Sequence, residues 1–186
     1  DRVLAMDLHS AQIQGYFDIP CDHIYGSPVL IDYLETLNLE EVVVVSPDVG
    51  GVARARAFAK LMNDAPLAII DKRRSAHNIA ESLTVIGEVK GKTAILIDDM
   101  IDTGGTICSG AHLLKKEGAN RIFACASHAV FSPPSYERLS TKDLFEQVIV
   151  TNSIPVILKD NFPQLKVLSV ANMLGEAIWR IHEESS

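Results

Sequence analysis

Two adjacent carboxylates, Asp98 and Asp99, directly follow an apolar run at residues 94–97. A few residues later, Gly104 and Gly105 precede a helical pattern. Glycines at a helix start leave backbone N–H groups uncovered, and the helix dipole favours an anion there. Carboxylates accept hydrogen bonds from sugar hydroxyls, while bare amides suit a phosphate. The spacing therefore predicts a sugar-phosphate site at the carboxyl end of one strand.

The densest cluster of positive charge in the chain is Lys72, Arg73 and Arg74. In an extended segment residues i and i+2 share a face, so Lys72 and Arg74 can point at one ligand. A Lys-Arg-Arg run is usually a solvated loop. We favour a ligand-binding role here because the run directly follows an apolar strand pattern at residues 67–70.

His9 and Asp48 each follow a predicted strand, at residues 3–6 and 42–45 respectively. Asp7 and His9 are two positions apart and are predicted to share a face. Asp48 lies in a glycine-rich loop behind four consecutive valines. Both residues are therefore candidates for the ligand side of the predicted sheet.

Short apolar runs alternate with helical patterns along the chain. Strands separated by helices are typical of a three-layer α/β domain built around a parallel sheet. A strand–glycine loop–helix unit is predicted twice, at residues 42–62 and 94–117. The predicted strands cover residues 3–6, 42–45, 67–70, 93–97, 122–126, 148–150 and 167–170, and a closing helix covers 172–182. Residues 73–83 are predicted to form a mobile flap, and residues 132–135 a loop.

The composition argues against several classes of protein. The chain has 186 residues and a formal net charge of −7, so a nucleic-acid partner is not expected. No apolar stretch approaches the roughly 20 residues that span a bilayer, so no membrane partner is expected either. The three cysteines are widely spaced and lack a C-x-x-C motif, which predicts reduced thiols and a cytoplasmic location.

Residues 94–106 resemble the ribose 5-phosphate loop that type I phosphoribosyltransferases share with ribose-phosphate pyrophosphokinases. Other stretches resemble the pyrophosphokinases specifically, and the resemblance runs through essentially the whole chain. Those stretches are residues 7–9, 12–20, 46–51, 71–74 and 151–155. The chain is therefore identified as similar to this family, with a sheet of the type I phosphoribosyltransferase-like kind.

The resemblance implies transfer of pyrophosphate from Mg-ATP to the C1 hydroxyl of ribose 5-phosphate, giving phosphoribosyl pyrophosphate and AMP for nucleotide biosynthesis. It implies that Lys72 and Arg74 stabilise the transferring phosphates, and that His9 and Asp48 lie on the Mg²⁺ side. The implied substrate-binding residues are Asp98, Asp99, Asp102, Thr103, Gly104, Gly105 and Thr106. Asp102 is expected to cap the turn that follows it.

The same resemblance implies a longer protein. Residues 1–22 are expected to be the end of a missing N-terminal α/β domain, and residues 23–186 the phosphoribosyltransferase-like catalytic domain. The missing part would supply much of the adenine-binding surface, so poor ATP turnover is expected of the chain alone. The strand at residues 3–6 is expected to be unpaired. A homo-oligomer, a hexamer by resemblance, is also implied.

Two alternative functions stay open at this point. A phosphoribosyltransferase acting on a nucleobase would share the sheet and the phosphate loop, but it needs a base-binding hood that the sequence does not suggest. A non-catalytic, regulatory relative would keep the fold, but we expect such a protein to have lost the flap cations or gained an insertion there.

Overall fold

The structure is a computed structural model that describes residues 1–73 and 82–183. Strands and helices alternate through most of these two ranges. The strands are β1 (Val3–Met6), β2 (Cys21–Ile24), β3 (Val42–Ser46), β4 (Leu67–Arg73), β5 (Ser82–Ile86), β6 (Thr93–Ile101), β7 (Arg121–Ala129), β8 (Gln147–Thr151) and β9 (Leu165–Leu168). The helices are α1 (Ser27–Thr36), α2 (Val52–Leu61), α3 (Gly105–Lys116), α4 (Ser135–Leu139) and α5 (Ala171–His182), with a 3-10 helix at Ala11–Tyr16.

Seven strands form the central sheet, in the order β5-β4-β3-β6-β7-β8-β9. Neighbouring strands run parallel, apart from the antiparallel pair β4 and β5. Successive residues of β3 point to opposite faces, so Val43 and Val45 join one buried cluster and Val44 joins the other. Side chains of α1 and α2 pack with Val44, while those of α3 pack on the opposite face. The predicted three-layer α/β fold around a largely parallel sheet is confirmed.

The first strand of the chain is paired, so the expectation of an unpaired β1 is wrong. β1 runs parallel to β2, from Val3 opposite Cys21 to Met6 opposite Ile24. The β2 sequence, Cys-Asp-His-Ile, has no apolar run by which a strand could be recognised. The boundary expected between residues 22 and 23 falls within this strand.

Five strands, β3, β4, β6, β7 and β8, extend beyond their predicted ends, and two of them run well into polar sequence. β6 continues through both carboxylates to Ile101, and β4 continues through Lys72 to Arg73. β5 pairs with the end of β4, with Lys72 opposite Leu83, so the predicted flap at residues 73–83 is wrong at both ends. β9 begins and ends two residues earlier than predicted. Backbone pairing tolerates polar side chains at a sheet edge, which hydropathy alone does not reveal.

Two helices were absent from the sequence prediction. α1 begins with Ser27 and Pro28, a favourable first-turn position for proline, and buries Leu30, Ile31 and Leu34. α4 begins at Ser135, so the loop predicted at residues 132–135 is wrong at its last residue, and the helix is only five residues long, too short for a helical period to be recognised. Across the described ranges, no helix has the length and apolar character needed to cross a membrane.

Candidate functional site

Two glycine loops lie side by side at the carboxyl edge of the sheet. β3 leads through residues 47–51 into α2, and β6 leads through residues 102–104 into α3. The two strands are direct neighbours, with Val45 opposite Leu96. Both loops therefore emerge at the same edge, each followed by the start of a helix. This is the arrangement that open α/β sheets use to bind ligands.

Gly104 shapes the second of these loops. Its φ is +73°, in the left-handed region that side chains disfavour, and it is the residue immediately before α3. No side chain caps this helix start, so the prediction that Asp102 would cap the turn is wrong. Asp102, Thr103 and Thr106 are exposed around the loop. The first N–H groups of α3 thus retain their capacity to bind an anion.

Asp98 and Asp99 lie on β6 just before this loop, linked to each other and to Arg54. Asp98 Oδ1 accepts hydrogen bonds from the Asp99 N–H at 2.9 Å and from Arg54 Nη1 at 3.1 Å. Arg54 Nη1 is also 3.3 Å from Asp99 Oδ1. The Asp99 side chain is only 2% exposed, compared with 22% for Asp98. One guanidinium therefore bridges a carboxylate pair at the edge of the core.

The two carboxylates differ in acidity. Burial raises the pKa of Asp98 to about 7, and its hydrogen bond with Asp99 acts in the same direction. Burial also acts to raise the pKa of Asp99, but hydrogen bonds with Asp98 and His9 and the charge of Arg54 outweigh it and lower that pKa. At neutral pH Asp99 thus stays ionised, while Asp98 is partly protonated.

Arg54 was missed as a functional candidate, because its position in α2 lies off the apolar face. A signal was present in the sequence, however. Arg54 lies in the first turn of α2, where the helix dipole disfavours a cation. A cation at such a position needs compensating negative charge nearby, and here that charge comes from Asp98 and Asp99.

His9 reaches the carboxylate pair from the other end of the chain. Its Nδ1 donates a hydrogen bond to Asp99 Oδ2 at 2.7 Å, while its ring remains 73% exposed. Asp7 points elsewhere: its buried carboxylate accepts hydrogen bonds from the Gly26 N–H at 2.7 Å and from Ser127 Oγ. The expectation that Asp7 and His9 share a face is wrong, because Asp7 has a φ of +43°, which interrupts the extended alternation.

A polar junction fixes this part of the chain on the sheet. His128 Nε2 donates to the carbonyls of Met6 and Asp7, at 3.0 and 3.1 Å. A Cβ at Gly26 would lie 2.8 Å from Ser127 Oγ, so only glycine fits there without a shift. Asp7, predicted to share a face with His9, is thereby a structural anchor of the segment that carries His9.

Asp48 organises the first glycine loop. Its Oδ1 accepts a hydrogen bond from the Gly51 N–H at 2.8 Å, and its carbonyl accepts one from Ser46 Oγ at 2.6 Å. The structure therefore places Asp48 at the start of α2 and His9 beside Asp99. In the part of the chain that the structure covers, no group of three or more histidine, cysteine, aspartate or glutamate side chains could by itself hold a metal ion.

The predicted flap cations are only partly covered by the structure. Lys72 lies near the end of β4, exposed and opposite Leu83 of β5. Arg74 lies outside the described residues, as do His77 and Asn78 of the predicted flap. The geometry thus places one of the two candidate catalytic residues, on the strand next to β3.

A cavity of about 640 Å³ opens beside the carboxylate pair, between the first residues of the chain and helices α1 and α2. Its polar side includes His9, Arg54 and Asp98, and its apolar side includes Leu30 and Phe58. Arg54 therefore borders open space and has room to change its conformation.

Comparison with known proteins agrees with this geometry. The family model described as the phosphoribosyl synthetase-associated domain matches residues 73–186. A ribose-phosphate pyrophosphokinase from Prochlorococcus marinus subsp. pastoris is 95% identical over 186 residues, which is 100% of this chain and 56% of that protein. The chain therefore spans little more than half the length of this curated relative.

Solved structures of other proteins share the fold of this chain. The crystal structure of phosphoribosylpyrophosphate synthetase from Mycobacterium smegmatis superposes with a TM-score of 0.90 at 43% identity, covering 100% of this chain and 60% of that one. An orotate phosphoribosyltransferase from Aeropyrum pernix shares the fold, with a TM-score of 0.50 at 17% identity, over 83% of this chain and 75% of that chain.

The chain is an α/β protein with a largely parallel seven-stranded sheet, and it shares its fold with the orotate phosphoribosyltransferase from Aeropyrum pernix. Within that class the matches at high identity are specific. The chain belongs to the ribose-phosphate pyrophosphokinase family, the phosphoribosyl synthetases.

Proposed function

We propose that this chain carries the ribose 5-phosphate site and the transfer site of a ribose-phosphate pyrophosphokinase. The reaction moves a pyrophosphoryl group from Mg-ATP to the C1 hydroxyl of ribose 5-phosphate, yielding phosphoribosyl pyrophosphate and AMP for nucleotide biosynthesis. The observation that carries the proposal is the β6–α3 unit. It places Asp98 and Asp99 directly before an uncapped helix start, beside a second glycine loop on the adjacent strand.

The β6–α3 unit would bind the sugar phosphate at both ends. The N–H groups of Gly104 and Gly105 and the hydroxyls of Thr103 and Thr106 bind the 5-phosphate, and the exposed Asp102 flanks them. Asp98 and Asp99 accept hydrogen bonds from the ribose 2- and 3-hydroxyls. Asp99 suits this role because its lowered pKa keeps it an acceptor.

Arg54 would compete with the sugar for the carboxylates. Its Nη1 lies within 3.3 Å of oxygens of both Asp98 and Asp99, so ribose hydroxyls must displace or share this guanidinium. The neighbouring cavity gives Arg54 space to move toward the ATP side. Arg54 thereby links occupation of the sugar site to the position of a positive charge near the transferring phosphates.

Lys72 and Arg74 would stabilise the charge of the transferring pyrophosphoryl group, since phosphoryl transfer depends mainly on positioning and electrostatics. Asp48 and His9 fit a Mg²⁺ site that includes water and substrate oxygens. Asp48 offers a second carboxylate oxygen, and His9 Nδ1 is engaged by Asp99, which leaves Nε2 toward phosphate or metal-bound water. Bound Mg²⁺ would neutralise phosphate oxygens of ATP.

We infer the domain arrangement and assembly of the whole protein by analogy with its family. The β1–β2 pair would complete a preceding domain that supplies adenine contacts, and the seven-stranded sheet with its helices would form the catalytic domain. The whole protein would be a cytoplasmic homo-oligomer, a hexamer by family resemblance, that binds neither nucleic acid nor membranes. The nucleobase phosphoribosyltransferase is ranked lower, because residues 7–9 would then have no role beside Asp99.

The test uses a chimera in which this chain replaces the matching residues of the Prochlorococcus relative. Labelled ATP is followed with and without ribose 5-phosphate, and sugar-dependent AMP together with phosphoribosyl pyrophosphate is the expected result. Asp99→Asn in the chimera should abolish the formation of AMP that depends on ribose 5-phosphate. Release of pyrophosphate from phosphoribosyl pyrophosphate and a nucleobase, without AMP formation from ATP, would instead identify the phosphoribosyltransferase.

A further inference from the structure

Helix α4 packs directly against the glycine loop before α3. Its Leu139 side chain would lie 3.4 to 3.8 Å from a Cβ built at Gly104. The neighbouring Arg138 donates from Nη1 to the Thr103 carbonyl at 3.1 Å, and the same nitrogen would lie 3.4 Å from a Cβ at Gly105. The Arg138 guanidinium therefore binds the Thr103 carbonyl and lies close to Gly105, the first residue of α3.

Arg138 has no carboxylate partner among the described side chains, in contrast to Arg54 and Arg121, each of which forms an ion pair. A guanidinium carries five N–H donors, and the Thr103 carbonyl uses one. The positive charge also reaches the first turn of α3. Burial raises the pKa of the Cys108 thiol to about 11, and the charge of Arg138 acts on it in the opposite direction.

We propose that Arg138 is a specificity-determining residue of the phosphate site. It fixes the loop through the Thr103 carbonyl and supplies the full positive charge that a phosphate dianion requires. This inference rests on the proposed function and deepens it, because it assigns the charge recognition at that site to a residue outside the loop itself.

The charge balance around the loop shows why such a residue is needed. A helix start contributes only about half an elementary positive charge. Asp102 is exposed in the same loop and carries negative charge, which opposes a phosphate. Among the contacts that the structure describes, Arg138 is the cation bound to this loop. Its planar fork can keep the carbonyl contact and direct other donors toward an anion, which the ammonium of lysine does less well.

The experiment measures binding of ribose 5-phosphate to the 186-residue chain by calorimetry, at several salt concentrations. Arg138→Gln should weaken binding about 10- to 100-fold, the range expected for loss of a charge-assisted hydrogen bond. Its affinity should also depend less on salt than that of the wild type, because one charge is missing. Arg138→Lys should fall between the two. Arg121→Gln, at the opposite edge of the sheet, is the matched control and should bind like the wild type.

The outcomes separate this inference from the function on which it rests. If the wild-type chain binds ribose 5-phosphate and Arg138→Gln binds it within twofold, Arg138 has no part in the site. If Arg138→Gln loses affinity but keeps the wild-type salt dependence, the residue only supports the loop, and its role in charge recognition is refuted. If the wild-type chain shows no binding at all, the sugar-phosphate site itself is refuted, and this inference with it. Thermal unfolding of each variant establishes that the folded protein is being compared.

Discussion

His9 and Asp99, ninety positions apart in sequence, are joined by a 2.7 Å hydrogen bond from imidazole Nδ1 to carboxylate Oδ2. The bond connects the first segment of the chain to the carboxyl end of β6. It brings the candidate metal-side histidine to the carboxylate pair proposed to bind ribose. In the proposed site, Asp99 would therefore link the metal side to the sugar side, and a change on either side should affect the other.

Replacing Arg54 should destabilise the fold, because the buried Asp99 would lose a cationic partner. We expect Arg54→Gln to lower the free energy of unfolding by about 1–3 kcal/mol. This is less than the usual cost of breaking a fully buried ion pair, because Arg54 and Asp98 are only partly buried. Urea denaturation at neutral pH measures this. Arg56→Gln, on the same helix but exposed, is the control and should stay within about 0.5 kcal/mol of the wild type. Equal stability of the two variants would show that the Arg54 bridge contributes nothing.

Gly104→Ala should weaken ribose 5-phosphate binding by straining the loop before α3. Its φ of +73° costs a side-chain-bearing residue roughly 1–2 kcal/mol. Gly118, with a φ of +86° after the other end of α3, offers a matched comparison. Both alanine variants should lose similar stability in thermal unfolding, but only Gly104→Ala should lose affinity in calorimetry. A parallel loss of affinity in Gly118→Ala would remove the loop from the explanation.

Asp7→Ala should loosen the segment that carries His9. The substitution removes the acceptor of the Gly26 N–H and of Ser127 Oγ, so we expect a loss of about 1–3 kcal/mol in unfolding free energy. Amide hydrogen exchange should accelerate at Gly26 and within β1. Asp22→Ala, which removes only an exposed ion pair with Arg2, should leave exchange in β1 unchanged. Unaltered protection in Asp7→Ala would refute the anchoring role.

The thiols should react in a defined order. All three cysteines, Cys21, Cys108 and Cys125, are free thiols in the structure. Burial raises the pKa of Cys108 to about 11 and that of Cys125 further still, so at pH 8 both remain protonated and unreactive. A thiol reagent should therefore modify the partly exposed Cys21 first, and the other two only on unfolding. Early modification of Cys125, detected by peptide mass, would contradict the buried environment.

Lys72→Ala should lower turnover of the Prochlorococcus chimera at least about 10²-fold, the usual effect of removing one preorganised cation from a transition state. The binding of ribose 5-phosphate should change little, because the phosphate loop belongs to β6 and α3. Lys60→Ala, on the exposed side of α2, is the control. Near wild-type turnover in Lys72→Ala would exclude the residue from the transfer step.

Much of this arrangement could be predicted because it is local in sequence. The strand–glycine loop–helix units are continuous segments, so Asp98, Asp99 and Gly104 could be assigned to one site from their spacing. Arg54 has only an indirect signal, its charge in the first turn of α2, because the contact that gives it a role is with Asp98, 44 positions away. β2 and β5 also escaped prediction. β2 lacks the apolar pattern that marks a strand, while β5 does alternate, with Leu83 and Val85 packing on the core, but it lies within the segment predicted as a flap.

Arg138 is a second residue whose contact could not be predicted from local sequence. α4 is too short to have a recognisable helical period. Its Arg138 donates a hydrogen bond to the Thr103 carbonyl, 35 positions earlier in the chain. The hydropathy pattern reports which side chains enter the core, and Arg138 does not. Arg138 contacts the loop from outside it, so its local sequence pattern does not indicate this contact.

The adjacency of β3 and β6, with Val45 opposite Leu96, has a consequence for how the protein folds. The two glycine loops become neighbours only when strands from distant parts of the chain have paired, and such pairing comes slowly because a long loop must close first. A partly folded chain in which only β3–α2 or only β6–α3 has formed would have one glycine loop without the neighbouring loop beside it. In a refolding experiment, the capacity to bind the sugar phosphate should therefore return together with the full sheet and not with the early helices.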